Sequence, residues 1–463
     1  TATTEIYTLA LHDALPIYYF SEYQQKLVSA AEAVRVVRSG DWVAYGHFAM
    51  APKLLDEALA ERKDELRDVK VRCVCPMHTV KVAQVDPKYE CFIYHSSFLS
   101  PYDRKLGDRC MHIPALYRTI AATVRQEYAP RVNTVFLKTA PMDGHGFFNF
   151  GTSCSYQRAL CDKADHIVVE VNDKVPVCLG GEQENVHISE VTHIVESDNY
   201  PMPVLPPDAP ATEVQKSIAN YVVETLEDGC TLQLGIGGLA NYIGKMIAES
   251  HIKDIGIHSE MMCDAFVDLF EKGKITGAEK SRQKYKMVYT FALGSQRLYD
   301  FLDHNPACAI YPADITNDPD RICLNYKQVS INNALMADIY GQVCSESVDF
   351  KQISGTGGQL DFTYGAQLSK GGKAFICLPS TQTLKDGTVI SRIAPFITRG
   401  NMITTPRTLP MYIVTEYGRA NIMGKSVWQR AEMLINIAHP DFRDKLIKEA
   451  EKQRIWTRCN KIA

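Results

Sequence analysis

Several features that mark common protein classes are missing from this chain. Its 50 basic and 54 acidic residues leave a net charge of -4, with no basic surplus to attract nucleic acid. No run approaches the roughly 20 apolar residues that a membrane-spanning helix requires. No Gly-x-Ser-x-Gly segment, the elbow that exposes a hydrolase serine, occurs in the sequence. We therefore expect neither a nucleic-acid-binding protein nor a membrane protein, and no serine hydrolase of that type.

A disulfide framework and a metal site are also absent from the pattern. The 14 cysteines are scattered through apolar segments without the spacing of a disulfide scaffold, which favours a reducing compartment such as the cytoplasm. The segment Cys73-Val-Cys75-Pro-Met-His78 suggests metal ligands, but no second cysteine or histidine pair follows at zinc-site spacing. We predict no metal.

What is present is an alternation of helical and strand patterns that occurs twice. In the first half, a helix-like apolar period over 26–38 precedes Gly40, and the strand-like run Trp42–Tyr45 ends at Gly46. In the second half, such a period over 214–226 precedes Gly229, the strand-like run Thr231–Leu234 ends at Gly235, and a further helix is expected over 242–249. Gly40 and Gly46 in the first half are separated by the same interval as Gly229 and Gly235 in the second. Helices that alternate with short apolar strands predict parallel sheets, so we expect two tandem, related, open α/β domains.

A chain of 463 residues is too long for one ordinary core, and its composition suggests where it divides. Five prolines interrupt residues 201–212, which we read as a linker between domains at 18–200 and 213–463. Residues 1–17 resemble the translation of a sequencing adapter. We treat them as a non-native leader that is either disordered or adventitiously packed.

Glu260 is the candidate catalytic residue because it stands at the end of an apolar strand. The segment Asp254-Ile-Gly-Ile-His-Ser-Glu260 follows the loop Gly235-Ile-Gly-Gly-Leu-Ala240, and a second glycine turn, Gly355-Thr-Gly-Gly358, comes later. A carboxylate that faces backbone N–H groups from two turns suits nucleophilic attack followed by stabilisation of an oxyanion. The chain is therefore predicted to be an enzyme.

The same residues admit a different interpretation. Gly235-x-Gly-x-x-Ala240 satisfies the dinucleotide fingerprint, and Glu260 lies about where a ribose-binding acid would be, which predicts an NAD-dependent oxidoreductase. Three features weaken that alternative: the loop lies in mid-chain, its first-half counterpart lacks the fingerprint, and the second glycine turn is left unexplained. His258 and Ser259 cannot form a triad, because neighbouring strand residues project to opposite faces.

Several motifs follow one another in a fixed order along the chain. They are Ala140-Pro-Met-Asp-Gly-His-Gly-Phe-Phe-Asn-Phe-Gly151, Gly235-Ile-Gly-Gly238, Gly256-Ile-His-Ser-Glu-Met261, Ile353-Ser-Gly-Thr-Gly-Gly-Gln-Leu-Asp-Phe362, Thr415-Glu-Tyr-Gly-Arg-Ala-Asn421 and Ile437-Ala-His-Pro-Asp-Phe-Arg443. Together they resemble the acetyl-CoA hydrolase/transferase family of class I coenzyme A transferases, and within it the butyryl-CoA:acetate and 4-hydroxybutyrate CoA-transferases. The resemblance extends from about Phe20 to Trp456.

The resemblance implies a fold, a mechanism and a set of site residues. It implies an active site at the junction of the two domains, where Glu260 attacks an acyl-CoA and forms first an acyl-glutamyl anhydride and then a glutamyl-CoA thioester. Coenzyme A is then a substrate, and neither ATP nor a metal is needed. The positions that resemble the coenzyme A-binding and oxyanion residues are Gly235, Ile236, Gly237, Gly238, Leu239, Leu335, Gly358 and Lys385, of which Gly358 joins Glu260 in the catalytic set.

The resemblance further implies the substrates and partners. We expect butyryl-CoA or a similar short-chain acyl-CoA as donor, a short carboxylate such as acetate as acceptor, and a homo-oligomer. The first half departs most from the family's pattern, at His47-Phe-Ala-Met50 and Met77-His-Thr79, so acyl preference stays open. An acyl-CoA hydrolase and a 4-hydroxybutyrate CoA-transferase are the neighbouring alternatives.

Overall fold

The computed structural model of the chain describes residues 17–206, 209–235 and 237–455. Nearly all of the predicted leader lies outside these ranges. Within them, no helix is long and apolar enough to cross a membrane. The described residues form two compact units. The first comprises the residues up to Ile113 with Thr119–Val204 and Thr290–Asp314, and the second comprises Pro114–Arg118, Leu205–Tyr289 and the residues from Ile315 onward. The domain limits expected from the sequence stay a prediction.

The first unit is built on a seven-stranded sheet whose recorded strand pairs are all parallel. Its spatial order is β4-β3-β2-β1-β5-β6-β7. The strands are β1 (Trp42–Tyr45), β2 (Val69–Arg72), β3 (Phe92–Ser96), β4 (Met111–His112), β5 (Thr134–Thr139), β6 (His166–Val171) and β7 (His193–Glu196).

The parallel strands of the second unit repeat six of the seven positions of that order. They run β10-β9-β8-β11-β12-β13, and an antiparallel strand, β14, is added at the edge. The strands are β8 (Thr231–Leu234), β9 (Gly256–His258), β10 (Met287–Tyr289), β11 (Gln328–Asn333), β12 (Lys373–Cys377), β13 (Tyr412–Thr415) and β14 (Gly418–Asn421). The repeated order confirms the prediction of two related α/β domains.

Helices connect and cover these strands. They are α1 (Ile17–Lys26), α2 (Ala30–Ala33), α3 (Leu54–Ala60), α4 (Val82–Val85), α5 (Pro101–Leu106), α6 (Ile120–Arg125), α7 (Gln157–Lys163), α8 (Glu213–Val223), α9 (Gly238–Glu249), α10 (Asp264–Glu271), α11 (Gln296–Leu302), α12 (Ala313–Thr316), α13 (Pro319–Ile322), α14 (Gln359–Leu368), α15 (Val427–Asn436) and α16 (Pro440–Lys452). Because a crossover between parallel strands returns the chain to the starting edge, a helix that precedes a strand begins at the carboxyl edge of the sheet.

Short strands complete the structure. They are Phe147–Asn149, Asn185–His187, Met261–Met262, Phe291–Ala292, Cys308–Ile310, Met336–Asp338, Val343–Cys344, Ser347–Val348, Lys351–Gln352, Thr381–Thr383, Val389–Ser391 and Ile393–Ala394. The central strands of both units are buried, as parallel strands covered on two faces must be. Their apolar side chains form the cores, including a cluster around Val43, Val71 and Phe92 in the first unit and one around Ile376, Ile413 and Leu434 in the second.

One local prediction is wrong. The helix expected over 26–38 is interrupted, because Leu27 pairs with Ile194 in a β-bridge and the oxygen of Ser29 then starts a new, short helix.

Lys280, at the start of a largely exposed loop, is 1% exposed. Its ammonium donates to the carbonyls of Ile257 and Lys286, both at 2.8 Å.

Candidate active site

Strand β9 carries Glu260 just beyond the carboxyl edge of the second unit's sheet. The strand pairs with β8 on one side and β10 on the other, and all of its residues are buried. Ser259 donates a hydrogen bond from Oγ to the carbonyl of Leu234, 3.3 Å away, at the end of β8. Glu260 itself is only partly buried, so a rigid strand presents a carboxylate that remains reachable.

Asn317 and Gly358 flank the Glu260 carboxylate. The Nδ2 of Asn317, a fully buried residue, donates to Oε2 of Glu260 at 2.5 Å. A Cβ added to Gly358 would stand 1.9 Å from the same oxygen and 2.4 Å from Nδ2 of Asn317. No other residue fits at position 358 without displacing the carboxylate. The structure therefore brings Glu260 and Gly358, predicted from the sequence, into contact.

Gly358 also begins helix α14. It is the N-cap residue of the helix, and Gly357 before it has a φ of 54°, a left-handed conformation that favours glycine. The first turn of a helix has N–H groups without intrahelical partners and a partial positive charge. The Glu260 carboxylate therefore lies where both features stabilise negative charge.

The pKa of Glu260 is raised toward neutral pH. Burial raises the pKa of Glu260 to about 7, because an ionised carboxylate loses hydration there, while the hydrogen bond from Asn317 acts in the opposite direction. A carboxylate with a raised pKa is a stronger base, and hence a stronger nucleophile, than an exposed one. It is still substantially ionised at neutral pH.

The glycine loop between β8 and α9 occupies the same edge of the sheet. Gly237 has a φ of 102°, and α9 begins at Gly238, four residues before the start that the apolar period predicts. A Cβ on Gly235 or Gly237 would meet nothing within 4 Å, so open space adjoins the loop. Leu239, in the first turn of α9, is buried. Ile236 lies outside the described residues.

His258 braces the segment that carries Asn317. Its Nε2 is 2.8 Å from the carbonyl of Thr316, and burial lowers the pKa of His258 to about 3, so the ring is neutral. His258 therefore acts on the site through the backbone next to Asn317.

Leu335 and Lys385 lie elsewhere in the unit. Leu335 and Leu384 line a cavity of about 540 Å³, whose walls include neither Glu260 nor Gly358. Lys385 is exposed in the turn beside Leu384, between the antiparallel strands Thr381–Thr383 and Val389–Ser391. The structure therefore places Leu335 in the wall of this cavity and Lys385 in the turn next to it.

The first unit has polar groups of another kind. His47, which follows β1 and Gly46, is buried, and its Nδ1 is 2.8 Å from Oγ of Ser153. Burial lowers the pKa of His47 to about 3, so this ring is also neutral. His78 has a pKa lowered to about 4, by burial and then by the charges of Lys138 and Lys53. These are the segments in which the sequence departs from the family's pattern.

Sequence reasoning missed Asn317, Asp361 and Arg118. Asn317 lies between short helices and belongs to no recognisable motif, so no local signal marks it. Asp361 lies in the motif at residues 353–362 that carries the resemblance, and its position in the first turn of α14 was the available signal. Arg118 approaches it from 243 residues earlier in the chain, a pairing that only the fold creates.

Comparison with known proteins agrees with this geometry. The acetyl-CoA hydrolase/transferase N-terminal domain model matches residues 17–206, and the C-terminal domain model matches residues 294–450. The chain is 48% identical over 442 residues to the butyryl-CoA:acetate CoA-transferase of Anaerostipes caccae, covering 95% of this chain and 99% of that protein. It is 47% identical to a probable butyrate:acetyl-CoA coenzyme A-transferase of Syntrophomonas wolfei, covering 95% and 98%.

A solved structure has the same fold. The crystal structure of RipA from Yersinia pestis superposes with a TM-score of 0.86 and 34% identity, covering 95% of this chain and all of RipA. Both family models match in tandem and together span most of the chain. The chain is an enzyme and belongs to the acetyl-CoA hydrolase/transferase family.

Proposed function

We propose that this enzyme is an acyl-CoA:acetate CoA-transferase that takes butyryl-CoA or a similar short-chain acyl-CoA as donor. The observation that carries the proposal is the contact of Glu260 with Asn317 and Gly358 at the end of a buried strand. The names of two relatives, at 48% and 47% identity, support the choice of butyryl-CoA and acetate.

The reaction begins with attack by Glu260. A carboxylate oxygen bonds to the thioester carbonyl carbon, the C–S bond breaks, and coenzyme A leaves as a thiolate from an acyl-glutamyl anhydride. The thiolate then attacks the glutamyl carbonyl and releases the first carboxylate, which leaves a glutamyl-CoA thioester. Acetate reverses these steps and departs as acetyl-CoA. Each exchange conserves one activated acyl bond, so no external energy source enters.

In this mechanism, backbone N–H groups at the start of α14 and in the glycine loop lower the activation barrier for attack on the thioester. Negative charge develops on the thioester oxygen during attack, and the N–H of Gly358 at the helix N-terminus is our candidate donor to it. One such donor typically contributes about 3 to 4 kcal/mol to transition-state stabilisation. The residues proposed to hold coenzyme A are those of the 235–239 loop, together with Leu335 at its separate cavity and Lys385 in the turn next to that cavity.

The dinucleotide alternative fails at the family level. The strand, loop and helix around Gly237 and Gly238 satisfy the context of that fingerprint. However, the acid that would bind ribose already accepts a hydrogen bond from buried Asn317 and packs on Gly358, and the chain belongs to a family of acyl-CoA enzymes. These observations support covalent chemistry at Glu260.

Steady-state kinetics test the proposal. We expect butyryl-CoA and acetate to give parallel double-reciprocal lines, as a ping-pong exchange requires, and acetyl-CoA to appear in step with butyrate. Release of free coenzyme A at the same rate with and without acetate would instead identify an acyl-CoA hydrolase. A matrix of acyl-CoAs against carboxylates, including 4-hydroxybutyrate, ranks the substrates. One methylene in an apolar pocket contributes about 1 to 3 kcal/mol to such a ranking.

A further inference from the structure

Asp361 is a second buried carboxylate, on the helix whose N-cap glycine contacts Glu260, and the mechanism above assigns it no task. It lies in the first turn of α14, three residues after Gly358, and it is 0% exposed. Nε of Arg118 donates to its Oδ1 at 2.9 Å, whereas Oδ2 has no hydrogen-bond partner among the described residues. Buried polar atoms are rarely left in that condition, so a functional reason is worth seeking.

The charges of Asp361 and Glu260 act on each other. The pKa of Asp361 is raised to about 7, because burial and, to a smaller extent, the charge of Glu260 raise it more than the guanidinium of Arg118 lowers it. Repulsion between two carboxylates belongs to both of them, so ionised Asp361 also disfavours ionised Glu260.

Arg118 neutralises Asp361 only in part. Its Nη1 is also 4.0 Å from Oδ1 of Asp318, the residue after Asn317, so two carboxylates share one guanidinium. The Arg118 side chain is 35% exposed, and solvent weakens its field, whereas Asp361 has no such screening. Arg118 therefore leaves part of the negative charge of Asp361 uncompensated.

We propose that Asp361, whose charge Arg118 compensates in part, is a positioning residue. Its buried charge destabilises ionised Glu260 and so favours the neutral covalent adducts of Glu260. The inference rests on the proposed function, because it concerns the charge that Glu260 loses. When Glu260 attacks the thioester, a C–O bond forms, the C–S bond breaks, and the negative charge leaves with coenzyme A thiolate. The repulsion with Asp361 is relieved in that step, so it destabilises the free enzyme and not the adduct.

The other groups around Glu260 do not supply this effect. The N-terminus of α14 and the amide of Asn317 favour the ionised form. His258 is neutral above pH 3. Lys280 has a pKa lowered to about 7 by burial, but its ammonium is directed to the carbonyls of Ile257 and Lys286. Among the acidic residues that the structure describes, Asp361 is the one whose charge interacts with that of Glu260.

The test uses the full chain with D361N, the double variant R118M/D361N, and D441N as a control. Asp441 also lies in the first turn of a helix, α16, but its side chain is 81% exposed. The first readout needs no substrate. The rate at which a carbodiimide modifies Glu260, followed by peptide mapping, reports the protonated fraction of Glu260 as a function of pH. The second readout is the fraction of Glu260 held as glutamyl-CoA thioester at a fixed ratio of butyryl-CoA to butyrate.

We expect D361N to lower the pKa of Glu260 by about 1 to 3 units, the usual range for a nearby charge. R118M/D361N falls between D361N and the wild type, which keeps the test valid if D361N alone does not fold. The adduct equilibrium constant falls by about tenfold for each unit of pKa, because protonation and acylation of Glu260 remove the same charge. D441N changes neither quantity.

Two results overturn the inference: an unchanged pKa of Glu260 in D361N and in the double variant, or a lowered pKa with an unchanged adduct equilibrium. A merely structural role for Asp361 predicts the first of these. If the wild type forms no adduct with any acyl-CoA, the proposed function fails, and the substrate-free titration still shows separately whether Asp361 acts on Glu260.

Discussion

The two sheets share one strand order but carry different residues at corresponding strand ends. In the second unit Glu260 follows the end of β9 by two residues, whereas in the first unit Val74, 8% exposed, stands at the same distance from the end of β2. Helix α14 begins after Gly358, while its counterpart α7 begins after Tyr156. The same architecture therefore supports a carboxylate cradle in one unit and an apolar, aromatic fill in the other.

The difference teaches which parts belong to the fold and which belong to the chemistry. A glycine directly follows β1 and β8 alike, at Gly46 and Gly235, so that feature accompanies the architecture. A carboxylate against a helix N-terminus without a side chain occurs at Glu260 and Gly358, and it has no equivalent at Val74 and Tyr156. Substitutions at these positions sharpen or break the comparison.

The largest effect is expected for E260Q. Glutamine keeps the shape and the hydrogen bond to Asn317 but removes the nucleophile, so kcat for transfer from butyryl-CoA to acetate falls on the order of 10⁴-fold, as for other covalent catalysts. Initial-rate measurement of acetyl-CoA formation checks this. V74A in the first unit is the matched control, and its kcat stays within about twofold of the wild type. Near-normal turnover by E260Q would remove the distinction between the two strand ends.

G358A comes next. The added methyl group would stand 1.9 Å from Oε2 of Glu260, so the carboxylate or the helix start must move, and kcat falls about 10² to 10³-fold. G273A is the control, because Gly273 has a φ of 68° but nothing within 4 Å of an added Cβ. It loses about 1 kcal/mol of stability and no activity. Equal activity losses in the two variants would indicate general strain and not a local cradle.

N317A has a smaller effect with a distinct signature. Removal of the amide leaves Glu260 without the donor that lowers its pKa, so the acidic limb of the pH profile of kcat/KM moves upward. At pH 7 the rate falls roughly tenfold, consistent with loss of one hydrogen bond to a charged group. A pH profile that keeps its midpoint while its height falls would show that Asn317 only shapes the site.

The smallest effect concerns stability. The pKa of Glu260 is raised from 4.5 to about 7, so its ionised form destabilises the folded state above pH 7, partly between pH 4.5 and 7, and not below. At pH 8, E260Q should therefore be more stable than the wild type by at most about 3 kcal/mol and should unfold at a higher temperature. At pH 4 the two proteins should unfold at the same temperature. V74A instead loses about 1 to 3 kcal/mol at both pH values. Thermal melts at the two pH values check both statements.

Much of this architecture follows from local sequence patterns. The strands at Trp42–Tyr45 and Thr231–Leu234 agree with the sequence prediction residue for residue, because short apolar runs bounded by glycine have few alternatives. The early start of α9 at Gly238 was missed because glycine is a poor helix former, and here it serves the turn. Pairing of Asn317 with Glu260, and of Arg118 with Asp361, depends on tertiary packing and leaves no trace in spacing.

The most direct measurement is mass spectrometry of the peptide that contains Glu260 after exposure to butyryl-CoA and then to hydroxylamine or borohydride. Covalent transfer predicts a hydroxamate or alcohol at Glu260 in the wild type and no label in E260Q. It also predicts loss of the wild-type label when acetate is added after butyryl-CoA and before the trapping reagent. A wild-type enzyme that makes acetyl-CoA while its Glu260 peptide stays unmodified would contradict the account.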